Sequence, residues 1–251
     1  MPVFKSIISG AESISGTESP LIKQNLAWQL REEILTGRIP PDGRIVEGTW
    51  ARRFGVAQTS IREALNILAA EGFVQKGHGR SARVVSLSQQ DIVQMYQVRA
   101  VLEGAAAGLI AEQKMPVEDL ERILAEMNES TKSNDLRIIV DCVLRFNLTL
   151  CEKSGNAYLI EYARRILIPL FAFTLMRALR NNLTAEPWVK HLPSYRQIVE
   201  ALQTGDPFFA EQVVVRAVHR FLKVALDVWA HDSQPAPTPA KRRPDLLQLP
   251  K

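Results

Sequence analysis

The 251-residue chain has few of the groups from which catalytic and metal sites are made: two cysteines and four histidines. Cys142 and Cys151 fall on one predicted helix. Nine residues of helix rise about 13 Å, too far for a disulfide between them. A disulfide-stapled fold is therefore excluded, and both thiols are expected as small buried hydrophobes in a reducing compartment. The histidines are scattered, and no Gly-rich phosphate loop or activated cysteine appears. Ser154-Gly155-Asn156 reads as a helix stop, not a nucleophile motif. No apolar run approaches the roughly 18 residues needed to cross a bilayer. The N-terminus carries Lys5 without a long apolar run, so no secretory signal is expected. These absences argue against an enzyme, a membrane partner and an exported protein, and make the cytoplasm the default location.

What is present is a hydrophobic fraction of 46%, enough for a full core, in a length that fits one large or two ordinary domains. The net charge of +4 is unevenly spread. Residues 21–86 hold ten cations against six anions, and residues 87–231 hold sixteen against seventeen. A basic surplus on one segment suits phosphate neutralisation, although a surplus of that size is also ordinary for a solvated surface.

Residues 1–19 are rich in Ser, Gly and Glu and are expected to be a flexible arm. Ser19 as cap and Pro20 in the first turn open a helix. Leu26, Leu30 and Ile34 mark its buried face, and Gly37 ends it. Pro40-Pro41-Asp42-Gly43 is a turn. A short helix follows from Thr49 to Phe54 and a third from about Gln58 to Glu71, stopped by Gly72. Two β-prone runs, Phe73 to Lys76 and Ala82 to Val85, flank the hairpin tip Gly77-His78-Gly79-Arg80-Ser81. From Ser88 the pattern is helical throughout. Ser88 and Asp91 have capping-box spacing, and helices are expected to about Gln113, from Pro116 to Lys132, and from Leu136 to Ser154. Three more follow, from Ala157 to Asn181 with Pro169 inside, from Trp188 to Thr204, and from Pro207 to His231. Residues 232–251 read as a disordered tail. The fold class is mainly α: a winged helix-turn-helix over residues 20–86, then an all-α bundle over residues 88–231.

The stretch Gly55 to Val74 is the most informative. Gly55 supplies the positive φ of a tight inter-helix turn. Ile61, Leu65 and Leu68 face one way, while Gln58, Thr59 and Arg62 crowd the exposed first turn. Thr59 and Ser60 can cap the helix or meet a phosphate. A core on one side with short polar groups and a cation at the N-terminal end describes a helix that enters a DNA major groove.

Gly55-Val56, Ile61-Arg62-Glu63-Ala64-Leu65 and Leu68-Ala69-Ala70-Glu71-Gly72-Phe73-Val74 resemble the signature of the GntR family of bacterial transcription regulators. Tyr96-x-x-Arg99-x-x-x-Glu103, Phe146-Asn147 with Ser154-Gly155-Asn156, and Gly205-Asp206 resemble its FadR-like branch with an all-helical FCD ligand domain. The resemblance implies a double-stranded DNA operator as partner, contacted by Arg62, Thr59, Ser60 and Gln58 on the helix and by His78, Gly79 and Arg80 at the wing. Arg62 offers a donor fork matched to guanine or phosphate; pairing with a neighbouring Glu is its alternative. The sequence departs from the family where Gln58 stands for an Arg and Ala57 for a hydroxyl residue, so the operator is expected to differ from the usual half-site.

Many FCD domains hold a divalent metal through one Asp and three His. The matching positions here are Val143, Asn147, Tyr195 and Ala217, which do not form a ligand set. His219 falls on the wrong helical face and His191 one turn before Tyr195. No metal and no cofactor is therefore expected. Arg99, Asn147 and Tyr195 remain as candidate effector-binding residues for an organic acid or acyl compound. Arg99 can pair a ligand anion or simply bridge to Glu103. Asp141 and Arg145 read as a surface pair. The implied protein is a homodimeric regulator on a palindromic operator, a repressor released by a small molecule. The alternative is an effector-blind regulator whose bundle serves only dimerisation.

Overall fold

The computed structural model describes residues 18–77, 79–133 and 135–230. His78, the arm through residue 17 and the tail from 231 lie outside the described residues. Helix α1 spans Glu18–Leu35, two residues earlier than Pro20 suggests. Pro20 fits the first turn because N–H groups there have no intrahelical partner anyway. Leu26, Leu30 and Ile34 face the core as their spacing requires. Strand β1, Arg44–Val46, comes next, then α2, Glu47–Phe54, and α3, Gln58–Ala70. Gly55, between α2 and α3, has φ 67° and its N–H closes α2 onto Ala51 and Arg52 carbonyls. Helix α3 buries Ile61, Ala64, Leu65 and Leu68.

Strands β2, Val74–Lys76, and β3, Ser81–Val84, form the wing hairpin. β3 is central and antiparallel to both neighbours, in the order β1-β3-β2. Ile45 pairs with Ala82, and Gln75 with Arg83. The sequence reading missed β1, whose three residues are too few to show an alternating pattern. The hairpin runs one residue earlier on β3 than expected, because Val46 pairs with Ser81 and draws it into the ladder.

The helical remainder comprises α4, Gln89–Glu112, α5, Glu118–Ser130, α6, Leu136–Lys153, and α7, Ala157–Arg180. It ends with α8, Glu186–Val189, α9, Leu192–Gln203, and α10, Pro207–Ala230. Ser88 caps α4 with the anticipated capping box: the Asp91 N–H donates to Ser88 Oγ, and the Ser88 N–H donates to Asp91 Oδ2 at 2.7 Å. The helix expected from Trp188 to Thr204 is two helices. Pro193 has no N–H to give the Val189 carbonyl, so the chain breaks and restarts. α4 lies along α10 closely enough that a Cβ on Gly104 would meet Val215 at 2.9 Å. Cys142 and Cys151 are free and buried, and burial pushes the Cys142 thiol up to about 11.

Candidate nucleic-acid interface and bundle cavity

A single buried carboxylate organises the face that carries the helix-turn-helix signature. Glu47, the first residue of α2, is 6% exposed. Arg62 donates to it through Nε at 3.1 Å and Nη2 at 2.9 Å, and Gln58 donates through Nε2 at 3.1 Å. The Glu47 backbone N–H donates to the Arg80 carbonyl at 3.2 Å, which ties α2 to the wing. One residue thus joins the start of α3, the start of α2 and the wing. The Arg62 bond, against the cost of burial, holds the Glu47 carboxyl below its ordinary value, with Gln58 adding to the effect. The same pairing raises Arg62.

Arg62 therefore takes up the alternative foreseen for it, pairing with a glutamate, but in a way compatible with an outward role. Its side chain is 46% exposed, and the pairing uses Nε and Nη2 but not Nη1. Arg62, Asn66, Lys76, Gly77, Gly79 and Arg80 line one groove between α3 and the wing. Thr59 and Ser60 lie in the first turn of α3, but Ala57 is the cap residue and the helix start has no side-chain cap bond. Their expected capping role is thus not realised; the hydroxyls stand two and three residues past the cap, and the Ser60 N–H bonds the Ala57 carbonyl instead. Glu47 escaped the sequence reading. Its signal was an acidic residue at a helix start, which the helix dipole alone would explain; only the packing of α2 under α3 brings it to Arg62.

A second feature lies inside the bundle. Tyr96, Arg99, Phe171, His191, Tyr195 and Phe221 are among the residues enclosing a cavity. Arg99 is 1% exposed and bridges to Glu103 through Nε. Its guanidinium lies 5.0 Å from the ring centres of both Tyr96 and Phe171. Its Nη1 is buried without a hydrogen-bond partner. Burial works against the Arg99 charge, but Glu103 and the tyrosines hold its pKa above the ordinary value. Tyr195 stacks on Phe221 at 4.9 Å and meets Phe146 edge-on. Burial pushes its phenol up. Asn147 is 1% exposed, with Nδ2 unpartnered. His191 lines the cavity edge-on to Phe221, and burial followed by Arg220 lowers its pKa.

The structure thus gathers Arg99 and Tyr195 on one cavity and buries Asn147 nearby, on the helix whose Val143 lines the same space. The salt bridge offered as the alternative for Arg99 is present, and it leaves Nη1 unused. Val143, Asn147, Tyr195 and Ala217 are all buried. Among the described residues no group of three or more His, Cys, Asp or Glu side chains is placed to hold a metal ion. Asp141 and Arg145 are not the surface pair expected: Asp141 is 1% exposed, and Arg145, largely covered, reaches across to Glu126 on α5.

A winged helix-turn-helix joined to an all-helical bundle is the architecture of a DNA-binding transcription regulator. The chain belongs to the GntR family: the family profile "Bacterial regulatory proteins, gntR family" matches residues 22–84, and the FCD domain profile matches residues 94–220. It is 28% identical to the "Probable D-xylose utilization operon transcriptional repressor" of Paenarthrobacter nicotinovorans, over 83% of this chain and 92% of that one. It is 26% identical to the "Gluconate operon transcriptional repressor" of Bacillus subtilis, over 78% of this chain and 79% of that one. The solved structure of E. coli McbR/YncC shares the fold, with a TM-score of 0.66 at 18% identity, over 82% of this chain and 97% of that one. No helix among the described residues is long and apolar enough to cross a membrane.

Proposed function

We propose that this chain is a repressor that binds a palindromic operator as a homodimer and leaves it when a small acid occupies the bundle cavity. The observation that carries the DNA half is the Glu47 hub, which presets Arg62 and Gln58 at the N-terminal end of α3 beside the Arg80 wing. A preset donor fork loses little freedom on meeting a base edge. The basic surplus of residues 21–86 supplies the sequence-independent attraction. Thr59, Ser60 and the wing residues His78 and Gly79 complete the proposed contacts, the hydroxyls on phosphate and the wing in the neighbouring minor groove. The relatives named for xylose and gluconate operons are repressors by description, which favours repression here.

The dimer is supported by apolar side chains left exposed on two long neighbouring helices of the bundle. Val101 on α4 is 70% exposed, and Phe208 on α10 is 71% exposed. Exposed apolar groups on adjoining helices mark an association surface, and two-fold pairing suits palindromic half-sites. The effector half rests on Arg99, whose unpartnered Nη1 inside an aromatic cavity asks for an anion. Asn147 and Tyr195 supply a donor and a hydroxyl nearby. An organic acid, free or as part of an acyl compound, has the matching chemistry. A protein that does this work acts inside the cell.

The test is a gel-shift titration on a duplex selected by the protein itself. Arg62→Ala is expected to lose specific binding by roughly tenfold to a hundredfold, with binding to unrelated duplex changed much less. Wild-type affinity from that variant would remove the assignment. Thermal-shift screening against small organic acids tests the effector half: stabilisation by an acid, lost in Arg99→Met, is expected. A screen with no shift would instead favour a bundle used only for dimerisation.

A further inference from the structure

The bundle cavity offers about 20 Å³ of open space, about one water molecule's worth. Anything larger must move a wall. One wall is the turn of α7 carrying Leu170, Phe171 and Thr174. A different side of that same turn holds the winged unit. Phe173 packs on Phe73, with ring centres 5.7 Å apart. Gly72 sits so close that a Cβ would lie 3.2 Å from the Arg165 carbonyl oxygen and 3.2 Å from Pro169 Cγ. Pro169 lies inside α7 and cannot donate to that Arg165 carbonyl, which weakens the helix at this turn. Successive helical residues turn by 100°, so Pro169 and Phe173 share one side while Leu170, Phe171 and Thr174 share another.

Phe73 leads directly into the wing. Its carbonyl accepts from the Val85 N–H at 2.9 Å, Val74 begins β2, and the Arg31 guanidinium of α1 lies 5.6 Å from its ring centre. Both faces of the Pro169–Thr174 turn are thus packed, one by the cavity and one by the helix-turn-helix.

We infer that the Pro169–Thr174 turn of α7 is the coupling element between the cavity and the DNA-binding face. An occupant that displaces Phe171 rolls this turn and loosens the seat of Gly72 and Phe73. The winged unit then loses its fixed setting on the bundle, and a dimer loses the spacing between its two α3 helices. The inference rests on the effector reading for its biological use, but the coupling itself can be tested without a ligand.

The test uses the full chain and amide hydrogen exchange. Ala225→Leu fills the cavity from α10, and Val143→Leu adds one methylene from α6; both positions line it. In whichever variant keeps the wild-type circular dichroism, exchange over residues 71–75 is expected to rise at least tenfold, while residues 47–54 stay as in the wild type. Phe173→Leu, which loosens the seat directly, is expected to raise exchange at 71–75 by itself. Combining it with the cavity variant is expected to add little further, because both act through one contact. Unchanged exchange at 71–75 in a folded cavity-filled variant overturns the coupling. A thermal-shift screen that finds no acid overturns the effector reading instead and leaves the exchange result standing.

Discussion

Glu47 shows how much one side chain can decide. A charged carboxylate at 6% exposure is costly unless it is paired, and here Arg62 and Gln58 supply the pairing. The charge is therefore tied to the geometry of α3. Glu47→Gln keeps the shape but removes the charge. Specific operator affinity is expected to fall about tenfold, since hydrogen bonds to charged groups are worth about 1.5–3 kcal/mol. Non-specific duplex binding is expected to rise slightly, as one negative charge leaves a basic face. Fluorescence anisotropy on selected and scrambled duplexes measures both. The carboxyl is held below its ordinary value of 4.5. A depressed value means that the stabilisation is present above 4.5 and is lost as pH falls below it through the lowered value. Chemical denaturation across that window is expected to show wild-type stability falling faster with acid than that of Glu47→Gln.

At the scale of the element, two glycines with positive φ separate local strain from tertiary packing. Gly55 has φ 67° with nothing within 4 Å of a built Cβ. Gly55→Ala is expected to cost only the left-handed strain, about 1–2 kcal/mol. Gly72 has φ 80° and also faces the Arg165 carbonyl and Pro169. Gly72→Ala is expected to cost measurably more than Gly55→Ala in urea denaturation, and an equal cost would mean that the contact with α7 is weak. The same elements show what was legible in the sequence. The turn at Gly55, the buried face of α3 and the Ser88 capping box follow from local spacing, and the structure has all three. Strand β1, the cap of α3 and the Asp141 environment were missed. A three-residue strand has no readable period, and the burial of Asp141 is set by tertiary packing rather than by local spacing. At the candidate site, Arg62, Gln58 and Arg80 were legible by pattern, but Glu47 was not, because its partner lies 15 positions away on another helix. In the bundle, Arg99 was legible as a residue, but its aromatic surroundings come from α4, α7 and α10 together.

The whole molecule combines a basic helix-turn-helix face, a near-filled cavity and exposed apolar side chains on α4 and α10. Val101→Asp and Phe208→Asp place a charge where a second copy is proposed to pack. Each is expected to shift sedimentation toward the monomer while the fold persists, and to weaken operator binding because half-sites are then bound singly. A dimer unaffected by both substitutions would place the interface elsewhere. Sequence-specific reading of duplex DNA through a preset Arg62 is what selection from a random duplex pool, followed by sequencing, measures. The wild-type chain is expected to enrich one motif with two-fold related half-sites, and Arg62→Ala to enrich none. A pool without a motif, or the same motif from both proteins, would contradict it.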